Sequence, residues 1–271
     1  MKRISVSINP EEVLRRELLP EPVAEALRDS RLYDSSCSRE ARVLYIEKEG
    51  GLFLKEAPEG SLSTEAEMTA FMHRLGLAAD VRYYGSAGGK DYLLTERLPG
   101  EDGIWPGYLA EPEKLCDTAA EFLRALHETA APGCPVPDRN RTYAETVRAG
   151  IAKRYFDADH FRGLWDFSSF EEAERAAREG LPLLKRDALL HGDYCLPNII
   201  LRDWKLSGYI DLGSGGIGDR HIDILWGIWT LKRNLKTDRY TERFLDVYGR
   251  DRAEKEKLRA IAAMECVGET A

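Results

Sequence analysis

The sequence predicts an α/β (α+β) protein of two lobes, a β-rich first lobe over residues 1–97 and a mainly helical second lobe over residues 98–271. Three observations carry this expectation. A chain of 271 residues is longer than one hydrophobic core usually organises, yet short for three. Short β-prone runs separated by Gly-containing turns crowd its beginning. From about Glu113 onward, apolar residues recur at spacings of three and four.

The elements follow in order. Arg42-Val43-Leu44-Tyr45-Ile46 and Gly51-Leu52-Phe53-Leu54-Lys55, joined by Glu47-Lys48-Glu49-Gly50, read as a β-hairpin. Met68, Phe71, Met72 and Leu75 give the stretch from Glu65 to Leu75 a helical face. Val81 to Tyr84 and Asp91 to Glu96 are strand-like, with Ser86-Ala87-Gly88-Gly89-Lys90 as the turn between them. The turn-rich Leu98-Pro99-Gly100-Glu101-Asp102-Gly103 marks the lobe boundary. Beyond it, Leu115 to His127, Tyr143 to Phe156 and Glu171 to Leu184 read as helices. A small β island interrupts them: Ala188 to His191, Ile199 to Leu201 and Ser207 to Asp211.

Composition narrows the function classes. No apolar run reaches the roughly 18 residues that cross a bilayer, and Met1-Lys2-Arg3-Ile4-Ser5 leads into Asn9-Pro10-Glu11-Glu12 and not into an apolar signal core. A cytoplasmic protein without membrane partners is expected. Cys37, Cys116, Cys134, Cys195 and Cys266 are odd in number and lack a C-x-x-C pair, so reduced thiols are expected in place of a disulfide framework or zinc site. The net charge of −8 argues against a nucleic-acid partner and suits a cationic small molecule, although solubility alone also accounts for it. Oligomeric state has no signature in the sequence.

Chemistry concentrates in the β island. There an apolar strand delivers His191-Gly192-Asp193, four residues then lead to Asn198, and two short strands lead to Asp211-Leu212-Gly213. Phosphoryl transfer asks for a carboxylate to orient or deprotonate the attacking hydroxyl, and for hard oxygen ligands to hold magnesium against a triphosphate. Asp193 suits the first task, and Asn198 and Asp211 suit the second. The Asp193-to-Asn198 spacing equals that of the protein-kinase H-R-D-x-x-x-x-N loop, and Asp211-Leu212-Gly213 stands where kinases have D-F-G. An isolated H-x-D or D-x-G is usually an ordinary turn. Joined in this order with strands between them, they point to a kinase.

Leu190 to Ile199, Gly208 to Gly213, and Gly218-Asp219-Arg220-His221-Ile222-Asp223-Ile224 resemble the aminoglycoside phosphotransferases, most nearly the 3′-phosphotransferases. The resemblance is densest over residues 188–224 and extends loosely from about 30 to 265. It implies a protein-kinase-like fold, ATP in a cleft, two magnesium ions, and transfer of the γ-phosphate to a sugar hydroxyl. Asp193 becomes the base, Asn198 and Asp211 the metal ligands, His191 a supporting loop residue, and Asp219 and Asp223 structural anchors.

Upstream, Lys55 ends a strand where the family keeps its phosphate-pairing lysine. Glu67 is the expected helical partner, with Glu65 as the fallback. Thr64-Glu65-Ala66-Glu67 also fits a T-x-x-E capping box, which would occupy Glu67 with its own helix. Ser36 and Ser38, in Ser35-Ser36-Cys37-Ser38-Arg39, stand where the family's nucleotide-covering loop falls, without a G-x-G-x-x-G. Adenine is expected to bond the backbone of Glu96 and Leu98, so side chains there leave ATP or GTP open.

For the acceptor, the family places acids in a helix–loop insertion and at the chain's end, which correspond here to Asp157, Asp159 and Glu265. The pattern then departs: Cys266 replaces the second acid, Val267-Gly268-Glu269-Thr270-Ala271 lacks the terminal aromatic, and Trp229-Thr230 stand where relatives carry an arginine. A polycationic aminoglycoside with a free 3′-hydroxyl is the expected acceptor. The alternatives are another antibiotic, a choline-like amino alcohol, a metabolite sugar, or a nucleotide-binding pseudokinase scaffold. The last conflicts with the joint presence of Lys55, Asp193, Asn198 and Asp211.

Overall fold

Alternation of side chains along the early strands builds an antiparallel six-stranded sheet. Its strands are β1 (Ser7–Ile8), β2 (Arg31–Asp34), β3 (Arg42–Glu47), β4 (Leu52–Pro58), β5 (Val81–Ala87) and β6 (Lys90–Glu96), in the order β1-β2-β3-β4-β6-β5. These come from a computed structural model that describes residues 7–11, 13, 18–37, 40–48, 50–159 and 161–268. The expected hairpin forms with Leu44 opposite Leu54, and β4 pairs β6 with Lys55 opposite Leu93 and Ala57 opposite Asp91.

Because successive residues point to opposite faces, the two central strands sort their side chains. Leu52, Leu54, Tyr92 and Leu94 join Leu44, Ile46 and the helix α1 (Glu21–Leu27) in one core cluster. Ala57 and Leu93 face the other way and meet Leu62 and Ala66, which belong to the start of helix α2 (Ser63–Arg74). Each leucine fully removed from water contributes roughly 1.5–3 kcal/mol, so both faces of the sheet are held. Lys55 and Asp91 share the parity of Ala57 and Leu93 and therefore lie on the face that carries α2. The T-x-x-E capping box does not form. The helix begins at Ser63 with Leu62 in the N-cap position, and no side chain of that cap bonds the first turn.

The β island divides between two sheets. β9 (Ile199–Arg202) pairs with β10 (Lys205–Tyr209) and with β7 (Glu101–Asp102), whereas β8 (Ala188–Leu190) pairs with β11 (Gly216–Gly218). Two compact units result: the chain up to Asp102 together with Ile199–Gly213, and Gly103–Asn198 together with the chain from Ser214. The first unit extends past Arg97 because Glu101 and Asp102 pair with Leu201 and Ile200.

Helices dominate the second unit: α3 (Pro106–Leu109), α4 (Pro112–Glu128), α5 (Arg139–Ala152), α6 (Phe170–Gly180), α7 (His221–Leu235), α8 (Thr241–Tyr248) and α9 (Lys255–Val267). The buried residues Leu115, Ala119, Leu123 and Leu126 form the stripe that the spacing predicts for α4. Asp138 and Ser169 cap α5 and α6 by accepting from the amides of Arg141 and Glu172. The helix expected to reach Phe156 stops at Ala152, where Arg154 turns left-handed at φ 54° and breaks the hydrogen-bond ladder. Among the described residues no helix is long and apolar enough to cross a membrane. None of the five cysteines is in a disulfide.

Candidate active site

In the first unit, the face of the sheet under α2 carries a charged cluster. The Lys55 ammonium lies 2.7 Å from Glu65 Oε2 and 2.6 Å from Asp211 Oδ1. Burial alone would lower the pKa of Lys55, but the carboxylates of Asp211 and Glu65 outweigh it and raise the ammonium above its ordinary value. Burial raises the Glu65 carboxyl against the lowering pull of Lys55. Asp211 differs from Glu65 in exposure: its side chain is 52% exposed, against 10% for Glu65. One acid thus fixes the lysine from within, while the other is open to an incoming ligand.

The local fold explains each position. Glu65 belongs to the inward stripe of α2 with Met68, Thr69 and Met72, all buried. Asp211 follows β10, whose Tyr209 amide donates to Leu77 O at 2.7 Å and so docks the strand beside the end of α2. Asp211 itself sits at φ 63°, a left-handed conformation that aspartate tolerates better than most residues.

Glu65, not Glu67, is therefore the partner of Lys55. Two residues along a helix is a rotation of about 200°, so Glu67 must point away if Glu65 points in. Glu67 is accordingly exposed. The stripe formed by Met68 and Met72 carries the signal for this choice, because Glu65 lies three residues before Met68.

The second unit holds the loop that follows β8. Asn198 Nδ2 donates to Asp193 Oδ2 at 2.9 Å and to Asp193 O at 3.1 Å. His191 is buried, and its Nδ1 accepts from the Asp193 amide at 3.3 Å. Below the loop, the fully buried Asp223 of α7 accepts from the amides of His191 at 2.7 Å and Gly192 at 2.8 Å. His127 Nε2 lies 3.2 Å from the same carboxylate, and its Nδ1 is 2.8 Å from the Tyr248 hydroxyl. Gly192 is required where it stands: φ is +84°, and a Cβ would meet Ser214 O at 1.8 Å. Asp219 is likewise buried, bonded to His221 Nδ1 at 2.6 Å and to the Lys185 amide at 2.8 Å. The Asp219 amide donates to Asn140 Oδ1 at 2.9 Å and ties the start of α7 to α5, while His221 Nε2 accepts from the Glu254 amide at 3.0 Å, next to α9.

The acids expected at the acceptor are in three different situations. Asp159 is exposed and paired with Arg162. Asp157 is half-buried, and its amide donates to Cys266 O at 2.9 Å, which brings it beside the end of α9. Glu265 is buried and accepts from the Tyr143 hydroxyl at 2.8 Å. Burial pushes its carboxyl up to about 7, against the hydrogen bonds from Tyr143 and Trp226, and the negative charge of Asp193 adds to the rise. Tyr143 and Trp226 escaped the sequence reading because a lone aromatic on a helix looks like ordinary core.

Of the other residues expected at the nucleotide, Ser36, Glu96 and Leu98 belong to the first unit. Ser36 Oγ accepts from the Val43 amide at 3.0 Å, and the Ser36 amide donates to Asp34 Oδ1 at 2.8 Å, so this serine staples the β2–β3 loop. Ser38 lies outside the described residues. Glu96 ends β6 with its amide on Asp80 O at 3.0 Å and its carboxylate on Arg82, and Leu98 follows in the half-buried connection.

A lysine fixed between two acids and a loop acid held by buried backbone contacts are equipment for moving a phosphoryl group, which sets the chain among the phosphotransferases. The profile of the phosphotransferase enzyme family matches residues 37–261, and the chain belongs to that family. It is 42% identical over 252 residues to a probable aminoglycoside 3′-phosphotransferase of Lactococcus lactis, covering 93% of this chain and 96% of the relative. Two solved structures share the fold. The crystal structure of the type VIII aminoglycoside-3′-phosphotransferase aligns with a TM-score of 0.69 at 24% identity, covering 91% of this chain and 99% of that one. The aminoglycoside phosphotransferase APH(3″)-Id from Streptomyces rimosus, in complex with ADP and streptomycin, aligns with a TM-score of 0.67 at 20% identity, covering 84% and 91%.

Proposed function

We propose that the protein transfers the γ-phosphate of ATP to the 3′-hydroxyl of a polycationic aminoglycoside. The observation that carries this reading is the Lys55–Glu65–Asp211 cluster in a chain so similar to a relative named as a 3′-phosphotransferase. Asp193 orients the acceptor hydroxyl and takes its proton as the oxygen attacks the γ-phosphorus. The bond to the oxygen of the departing ADP breaks in the same displacement. Lys55 neutralises phosphate oxygens of the nucleotide, held in place by Glu65. The backbone of Glu96 and Leu98 receives the adenine, and Ser36 belongs to the loop over the phosphates.

Each unit offers one oxygen donor of the kind magnesium accepts. Asp211 presents a half-exposed carboxylate, and Asn198 turns its amide nitrogen toward Asp193, which leaves the amide oxygen for a hard cation. Among the described residues no group of three or more His, Cys, Asp and Glu side chains could hold a metal. Magnesium takes only one or two protein oxygens and completes its shell with phosphate and water. When bound, magnesium supplies neutralisation of the triphosphate's charge. A cytoplasmic location accords with five free cysteines.

The acceptor is settled by measuring ATP consumption and product mass with a panel of aminoglycosides, their 3′-deoxy analogues, amino alcohols and sugars. Phosphorylation only of aminoglycosides bearing a 3′-hydroxyl is expected. Equal turnover of a 3′-deoxy analogue overturns the regiochemistry, and turnover of amino alcohols or sugars alone moves the protein to a metabolic kinase.

A further inference from the structure

The buried carboxylate of Asp91 lies on the same sheet face as Lys55, and it is not part of any phosphate-binding or acceptor motif. It is 0% exposed. Its Oδ2 accepts from the Leu62 amide at 2.9 Å and from the Tyr84 hydroxyl at 3.2 Å, and its Oδ1 accepts from the Ser86 hydroxyl at 2.6 Å. Burial would raise this carboxyl, but the hydrogen bonds from Ser86 and from the amides of Leu62 and Gly60 hold it below its ordinary value. Asp91 is therefore charged inside the sheet–helix interface.

Its location gives the charge a purpose. Leu62 is the N-cap residue of α2, so Glu65 occupies the third helical position. In a capping box the glutamate at that position reaches back to the N-cap amide. Here Asp91 bonds that amide from the neighbouring strand, and Glu65 bonds Lys55 instead. Register makes the arrangement possible: Ala57 is opposite Asp91 and Lys55 opposite Leu93, so the two anchors of α2 are one rung pair apart on the same face. A negative charge at a helix N-terminus is also favoured by the helix dipole.

We propose that Asp91 is a positioning residue for the phosphate-binding lysine: it performs the capping that would otherwise claim Glu65, and so frees Glu65 to hold Lys55. The proposal rests on the reading of Lys55 as a nucleotide ligand.

The test is a double-mutant cycle on the full chain with Asp91→Asn and Glu65→Gln, following the KM for ATP, the KM for the acceptor, kcat, and ATP affinity by calorimetry. Asp91→Asn should raise the ATP KM and Kd about five- to tenfold, the size of one charge-assisted contact. The acceptor KM should stay within about twofold, since sites that share no partners act nearly independently. In the Glu65→Gln background the same change should have almost no further effect on ATP. An equal rise in both backgrounds, or a parallel rise in the acceptor KM, reduces Asp91 to a support of the fold and overturns the proposal. A different result identifies failure of the underlying reading: Glu65→Gln then leaves ATP affinity at the wild-type value. Should Asp91→Asn not fold, Ser86→Ala removes the 2.6 Å bond while keeping the charge. It should raise the ATP KM about two- to threefold through the weakened contact, and only when Glu65 is present; the same rise without Glu65 overturns the proposal.

Discussion

The two regions proposed to do chemistry, around Lys55 and around Asp193, are held in opposite ways. Around Lys55 the holding forces are charges on side chains, two carboxylates sharing one ammonium, and half of the Asp211 side chain remains in solvent. Around Asp193 they are mostly hydrogen bonds to the main chain, with Asp223 gripping two consecutive amides and Asn198 bonding both the carboxylate and the carbonyl of Asp193. The first kind of site can exchange one partner for a phosphate or a metal. The second fixes a carboxylate in one place and has little freedom to rearrange. A nucleotide-handling role fits the former and the orientation of one hydroxyl fits the latter.

The contrast can be broken by mutation, beginning with the largest effect. Asp193→Ala should lower kcat by about 10² to 10⁴ while ATP affinity changes only a few-fold, because general-base assistance acts on the chemical step. A variant that keeps more than about a tenth of wild-type kcat contradicts that mechanism. Asp211→Asn should sharply raise the magnesium concentration needed for half-maximal rate, and Lys55→Ala should mainly raise the ATP KM. If the two variants respond to magnesium identically, the cluster does not divide its work between metal and phosphate.

Glu265 sharpens the comparison through pH. Its carboxyl is raised to about 7 in the folded protein, from an ordinary 4.5. Between these values the folded state holds a proton that the unfolded state has released. Stability should therefore be highest below about pH 4.5 as far as this group is concerned, and fall as pH rises to about 7, by on the order of 3 kcal/mol at most. Melting temperature measured across that window should slope downward in the wild type, and Glu265→Gln should flatten the slope. The smallest effect is expected from Glu67→Ala, which should leave stability within about 0.5 kcal/mol and ATP KM unchanged, as for an exposed helical site. A rise in the ATP KM comparable with that of Glu65→Gln would return Glu67 to the role first expected of it.

Legibility in the sequence followed the range of the interaction. Asp193, Asn198 and Asp211 stand out because the chemistry fixes short spacings along one stretch of chain. The hairpin and the α4 stripe are equally local. Glu65 was half legible, since its helical face is a local pattern but its competition with Glu67 turned on where the helix begins. That starting point depends on Asp91, nearly thirty residues later in the chain. Asp223 and Glu265 show the same limit: the family resemblance points to them, but their partners 32 and 122 residues away appear only in the fold. The strand β11 was missed because Gly216-Ile217-Gly218 has no periodicity to read, and only pairing with β8 makes it a strand.

The excursion that returns Ile199–Gly213 to the first unit has a bearing on biosynthesis. Lys55 emerges early from the ribosome, yet its partner Asp211 is translated 156 positions later. At roughly 5–20 residues per second, the nascent chain spends about eight to thirty seconds with the strands of the six-stranded sheet made but without the β9 and β10 that pair with β7 in a separate sheet. During that interval the lysine has only Glu65 to neutralise it, and the Leu77 carbonyl lacks the Tyr209 amide that later bonds it. A fragment ending at Asp102 should consequently leave Glu101 and Asp102 without their strand partners Leu201 and Ile200, and aggregate where the full chain does not.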